Sequence, residues 1–110
     1  MKFEVKEAGV MHFDGACKAK TGGGGYIIWD SLGNFVHAGS SFFGKNTTNN
    51  ESEAQAMLLG LEYIQEHASE TCTRWVIRGD SALIINFMNK KNVPKKKSLV
   101  KLVLAARKIV

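Results

Sequence analysis

The chain has 110 residues, 45% of them hydrophobic, with one proline and with 15 Lys and Arg against 10 Asp and Glu, a net charge of +5 at pH 7. That length suits one domain, residues 1–110, burying roughly two-thirds of its unfolded surface. The apolar content argues against disorder, no run approaches the ~20 apolar residues of a membrane span, and the two cysteines, Cys17 and Cys72, form neither a CxxC zinc pair nor a disulfide framework.

Met1 to Glu7 mixes charged and apolar residues without the apolar run of a secretory leader, so an intracellular setting, cytoplasm or nucleus, is expected. Gly9 to Asp14 is mostly apolar and ends in Asp-Gly, which predicts a buried strand running out into a turn. After the glycine cluster Gly22 to Gly25, the run Tyr26 to Trp29 predicts a second strand, closed by Asp30-Ser31-Leu32-Gly33-Asn34. Phe35 to Phe43 predicts a third, and short glycine-bearing turns make the three an antiparallel meander. From Asn50 the period changes. Ala54, Met57, Leu58, Leu61 and Ile64 recur at helical spacing, giving one apolar stripe up to about His67. Trp75 to Ile77 forms a fourth strand that ends at Gly79-Asp80, and Ser81 to Met88 returns to a helical pattern. Beyond Pro94, a final amphipathic helix is marked by Leu99, Leu102, Val103, Ala106 and Val110. The expected architecture is α/β: a mixed sheet made of the meander and a strand parallel to the first, with packing helices.

Three carboxylates stand at element boundaries. Each has a local explanation: Asp14-Gly15 is a common turn pair, Glu53 sits at capping-box distance from Asn50 with Glu51 as a competitor, and Asp80 could cap the second helix. Together they suggest more. If the first and fourth strands are adjacent and parallel, Asp14 and Asp80 share one end of the sheet. Two like charges about 4 Å apart at an effective dielectric near 20 repel by about 4 kcal/mol, so gathering carboxylates is favourable only around a cation. Oxygen ligands without a Cys/His cluster suit Mg²⁺ or Mn²⁺. Five lysines between Lys90 and Lys97, in KKNVPKKK, concentrate positive charge in one patch, readable as a phosphate-binding surface or as a solvated connection.

Phe13-Asp14-Gly15-Ala16, then Thr48-Asn49-Asn50-Glu51-Ser52-Glu53-Ala54, then Gly79-Asp80-Ser81 resemble the ordered motifs of the ribonuclease H family, closest to the plant, archaeal and retroelement variant in which TNNxAE opens the first helix. The likeness runs from about Gly9 to the end. It implies a ribonuclease-H-like fold and endonucleolytic cleavage of the RNA strand of RNA/DNA hybrids by two divalent ions, Mg²⁺ or Mn²⁺, held by Asp14, Glu53 and Asp80. It further implies contacts to the hybrid from Gly15, Ala16, Asn49, Asn50 and Ser81, and to the DNA strand from Lys95, Lys96 and Lys97. Asn49 and Asn50 also have a plain reading as helix caps. A non-catalytic nucleic-acid-binding module is the alternative.

The chain departs from the pattern in two places. Ala82 stands two residues after Asp80, where many relatives carry glutamine. The family's fifth strand, loop histidine and last helix with a fourth carboxylate have no counterpart before Val110, and His12, His37 and His67 do not match that histidine by position. The fourth strand is therefore expected at a sheet edge, open to self-association.

Overall fold

A computed structural model describes residues 8–18, 21–45, 47–68, 74–79, 81–89 and 97–109, with the side chains of residues 68, 97 and 98 excepted. Expectations falling on Cys72, Asp80, Lys90 to Lys96 and Val110 lie outside them.

The first strand, β1 (Gly9–Lys18), alternates as a pleated strand with one covered face must. Gly9, Met11 and Phe13 are buried, whereas His12, Asp14, Ala16 and Lys18 are exposed. The Asp14-Gly15 pair lies inside this strand rather than at a turn. It is held there by β2 (Thr21–Trp29), which pairs antiparallel along its whole length, with Asp14 opposite Gly25 and Gly15 opposite Gly24. The glycine cluster is thus part of a strand. Its lack of side chains admits the helix above, because a Cβ on Gly24 would lie 2.6 Å from the Asp14 carbonyl oxygen and 3.1 Å from the Ala56 Cβ.

The connection to β3 (Phe35–Lys45) is organised by Asp30, whose Oδ1 accepts from the backbone N–H groups of Leu32 at 2.9 Å and Asn34 at 2.8 Å. Gly33 supplies the left-handed residue of this turn, φ 83°. The bonds from Asn34 above all, with those from Leu32 and Gly33, hold the Asp30 carboxyl below the usual carboxylate range.

Helix α1 (Asn49–Tyr63) begins one residue earlier than its apolar period suggests. Thr48 is the N-cap and Glu51 closes the capping box, a pairing that leaves Asn50 and Glu53 out of it. Of the expected stripe, Ala54, Met57, Leu61 and Ile64 are buried and Leu58 is half-buried, yet Ala56, Gly60 and the residues Glu51, Ser52 and Glu53 near the start of the helix are buried as well. The burial spans a wide arc because α1 lies between the sheet and the last helix, touching β1, β2 and that helix. The helix expected to run to His67 changes to a π turn over Ile64–Ala68. Tyr63 stacks on His37 there, ring centroids 3.9 Å apart and 3° from parallel, pinning the end of α1 to β3.

Strand β4 (Trp75–Gly79) pairs parallel with β1, Gly9 opposite Trp75 through Phe13 opposite Gly79, so the sheet order is β3-β2-β1-β4. Among the described residues β4 has one neighbour, and Val76 on it is 41% exposed. Helix α2 (Ala82–Met88) is capped by Ser81, whose hydroxyl accepts from the Ile84 N–H. Helix α3 (Lys97–Ile109) buries Leu99, Val103 and Ala106 and sends Arg107 to the carbonyl of Phe87, where its Nε donates at 3.1 Å and ties α3 to the end of α2. Met11, Phe13 and Ile28 from the sheet meet Met57, Ile84, Phe87 and Val103 from the three helices in one core. No described helix is long and apolar enough to cross a membrane.

Candidate functional site

The site is set by the approach of α1 to β1. Alternation along β1 turns Gly15 toward the helix, and a Cβ at that position would strike the backbone where Ser52 joins Glu53. The absence of a side chain at Gly15 therefore brings the backbone beside Asp14 against the backbone of Glu53. Asp14 itself is exposed on the strand, whereas Glu53 is 9% exposed in the second turn of α1. Glu51, not Glu53, closes the capping box.

Around Asp14 the sheet presents an open face, with Tyr26 among the residues that line it. The cross-strand partner of Asp14 is Gly25, beyond which lies Ser40 on β3, and His12, Ile27 and Ala38 complete an open trough of about 530 Å³. The Asp14 carboxylate lies on this open face beside the small residues Gly25 and Ser40. Asp14 and Glu53 offer only oxygen ligands, the donor set of Mg²⁺ or Mn²⁺. Among the described residues no three His, Cys, Asp or Glu side chains gather into a metal-holding group. β4 ends at Gly79, in register with Phe13; Asp80, the next residue in the chain, lies outside the described residues.

The residues implied as nucleic-acid contacts fall into three sets. Gly15 and Ala16 follow Asp14 on β1, and Asn49 and Asn50 are the first two residues of α1, both exposed. Ser81 is the cap of α2. Lys97 opens α3, and Lys95 and Lys96 lie outside the described residues.

One connection at the site was not read from the sequence. The backbone N–H of Cys17 donates to Asn49 Oδ1 at 2.9 Å, and the Cys17 thiol donates to the Thr47 carbonyl. Thr47 is buried and its hydroxyl bonds back to the carbonyls of Phe43 and Gly44, both at 3.3 Å. The far end of β1 is thereby laced to the start of α1. Strand alternation placed Cys17 on the same face as Gly15, and that was the available signal.

Residues 12–110 match the family model described as reverse transcriptase-like. A ribonuclease H from Caldicellulosiruptor saccharolyticus is 32% identical over 89 residues, covering 78% of this chain and 55% of that protein, so the chain spans little more than half the length of this curated relative. Among solved structures, RNase H1 from the halophilic archaeon Halobacterium salinarum has a TM-score of 0.80 at 24% identity, over 93% of this chain and 76% of that one. LC11-RNase H1 in complex with an RNA/DNA hybrid has a TM-score of 0.81 at 27% identity, over 92% and 75% of the two chains. The mixed sheet of three antiparallel strands and one parallel strand, with its packing helices, is the fold of these structures.

Proposed function

Because the chain belongs to the ribonuclease H family, through the branch described as reverse transcriptase-like, we propose that it is a metal-dependent endonuclease that cleaves the RNA strand of RNA/DNA hybrids. The observation that supports this reading is the contact of Gly15 with the Ser52–Glu53 backbone, which sets the backbone next to Asp14 against that of Glu53. LC11-RNase H1, of similar fold, is seen with such a hybrid.

In this reading Asp14, Glu53 and Asp80 hold two divalent ions, Mg²⁺ or Mn²⁺. Bound there, the ions supply the positive charge that favours in-line displacement at phosphorus by water. The chain's own work is placement. β1 fixes the Asp14 backbone against Gly25 of β2, one residue past the end of its pairing with β4, and α1 delivers Glu53 at a point set by the Thr48 cap. Gly15, Ala16, Asn49 and Asn50 line the approach and meet sugar and phosphate oxygens. Ser81 belongs to the same contact set, and Lys95, Lys96 and Lys97 provide sequence-independent attraction to phosphates. The setting is intracellular. Self-association through β4 belongs to the reading too, since an edge strand offers unpaired backbone groups; a sedimentation coefficient unchanged by protein concentration counts against it.

Cleavage of a labelled RNA/DNA hybrid with Mg²⁺ and with Mn²⁺, beside Asp14→Asn, tests the function. RNA-strand cleavage that disappears in Asp14→Asn is expected. Wild type and variant equally inactive in both metals would remove the nuclease reading, and retained salt-sensitive hybrid binding would then assign the chain as a non-catalytic binding module.

A further inference from the structure

β3 is an outer strand of the sheet, and among the described residues its one strand neighbour is β2. Along its regular part, alternate backbone N–H and C=O groups point away from β2, a row that proteins ordinarily guard with charged residues or proline. Here the guard is thin. From Phe35 to Gly44 the strand holds no Asp, Glu, Lys, Arg or Pro, and Lys45 at its end is its one charged residue.

Phe35 and Phe42 on this strand are 65% and 69% exposed. Seven positions apart, they would face opposite sides of a regular strand. The β2–β3 ladder, however, passes from Ile28 opposite His37 to Trp29 opposite Phe35 and skips Val36, so both phenylalanines stand on the sheet face that carries His12 and Asp14. Val36 packs against the core instead. The two phenylalanines are also evenly placed. Phe35 pairs with Trp29 and Phe42 with Gly23, each three residues from Tyr26, whose partner is Gly39.

A contact between identical chains across a two-fold axis must be self-complementary. Two β3 strands running antiparallel about an axis at Gly39 meet that condition. Phe35 then lies opposite the partner's Phe42, and the symmetry repeats the pair. His37 lies opposite the partner's Ser41 and Ala38 opposite the partner's Ser40, so no like charges meet. Lys45 falls past the partner's Phe35, at the turn Asp30-Ser31-Leu32-Gly33-Asn34, whose one charged residue is an aspartate. We propose that β3 is a homodimer interface, on which a second copy of this chain pairs antiparallel about Gly39 and joins the two sheets into one. This edge is the opposite one from β4. The outer faces run together across the seam, where Ala38 and Ser40 of the Asp14 trough lie.

Sedimentation velocity from micromolar to submillimolar concentration, with amide exchange of β3 followed alongside, tests the dimer. Wild type is expected to pass from one copy to two, and the β3 amides to gain protection as it does. Phe42→Glu is expected to weaken dimerisation about tenfold or more, because the symmetry repeats the loss at both aromatic pairs. Phe35→Lys combined with Phe42→Glu sets opposite charges at the same two pairs and is expected to dimerise more tightly than Phe42→Glu alone. Urea midpoints of the dilute proteins separate dissociation from unfolding.

Wild type that stays monomeric throughout overturns the proposal and leaves the edge to an unlike extended strand. A dimer that Phe42→Glu leaves intact and Val76→Lys abolishes overturns it as well, by moving the contact to β4. A double variant that dimerises no better than Phe42→Glu alone removes the axis at Gly39.

Discussion

Ser52 sits at 0% exposure in the second turn of α1, and its Oγ has no hydrogen-bond partner among the described residues. In the TNNxAE pattern that this segment resembles, the position holds alanine. Burying a hydroxyl without a partner costs roughly 1–3 kcal/mol in proteins, so Ser52→Ala is expected to raise the urea midpoint, with a stability gain at the low end of that range. A lowered midpoint would show that the hydroxyl is satisfied in solution. Asp30 makes the opposite contribution. Its carboxyl is held below its ordinary range by the turn's N–H groups, so its stabilising effect is present above the unfolded-state value and is lost as pH falls through the depressed folded-state one. Thermal melts from pH 7 down through the carboxylate range should therefore drop less for Asp30→Ala than for wild type.

Between elements, the close contact is that of α1 with β1 and β2, and it explains what the sequence showed and what it hid. Alternation revealed β1, and apolar spacing revealed α1 and α3, because those signals come from one buried face. Asp14-Gly15 and Gly22 to Gly25 read as chain breakers, since local propensity cannot report a helix backbone lying on the strand. Thr48, Asn49 and Asn50 are all acceptable caps, so only the folded turn selects Thr48. Asp14 and Glu53 were identified by resemblance, not by periodicity. The Cys17 to Asn49 bond depends on partners 32 positions apart, for which no local pattern exists. At this scale Gly15→Ala is the decisive variant. Its methyl group would push into the Ser52–Glu53 backbone, and overpacking of this kind costs about 1–3 kcal/mol. Chemical denaturation should show that loss. Activity in the hybrid assay should fall further than the population of folded protein does, because α1 carries Glu53.

Taken whole, the molecule carries +5 and concentrates lysines between Lys90 and Lys97. Hybrid binding should weaken steeply with salt, log affinity falling linearly with log salt at a slope of about −0.9 for each phosphate neutralised on a duplex. A titration from low to physiological salt that leaves affinity flat would show that the lysines do not touch the backbone. The order β3-β2-β1-β4 also has a kinetic side. Its parallel pair joins Gly9 to Trp75, 66 positions apart, whereas the hairpin pairs close within a few residues. On a ribosome adding roughly 5–20 residues each second, β1 emerges several seconds before the strand that completes it. The nascent meander spends that interval with β1 unpaired along one side, a window in which a chaperone, or a neighbouring chain on the same messenger, can reach it first.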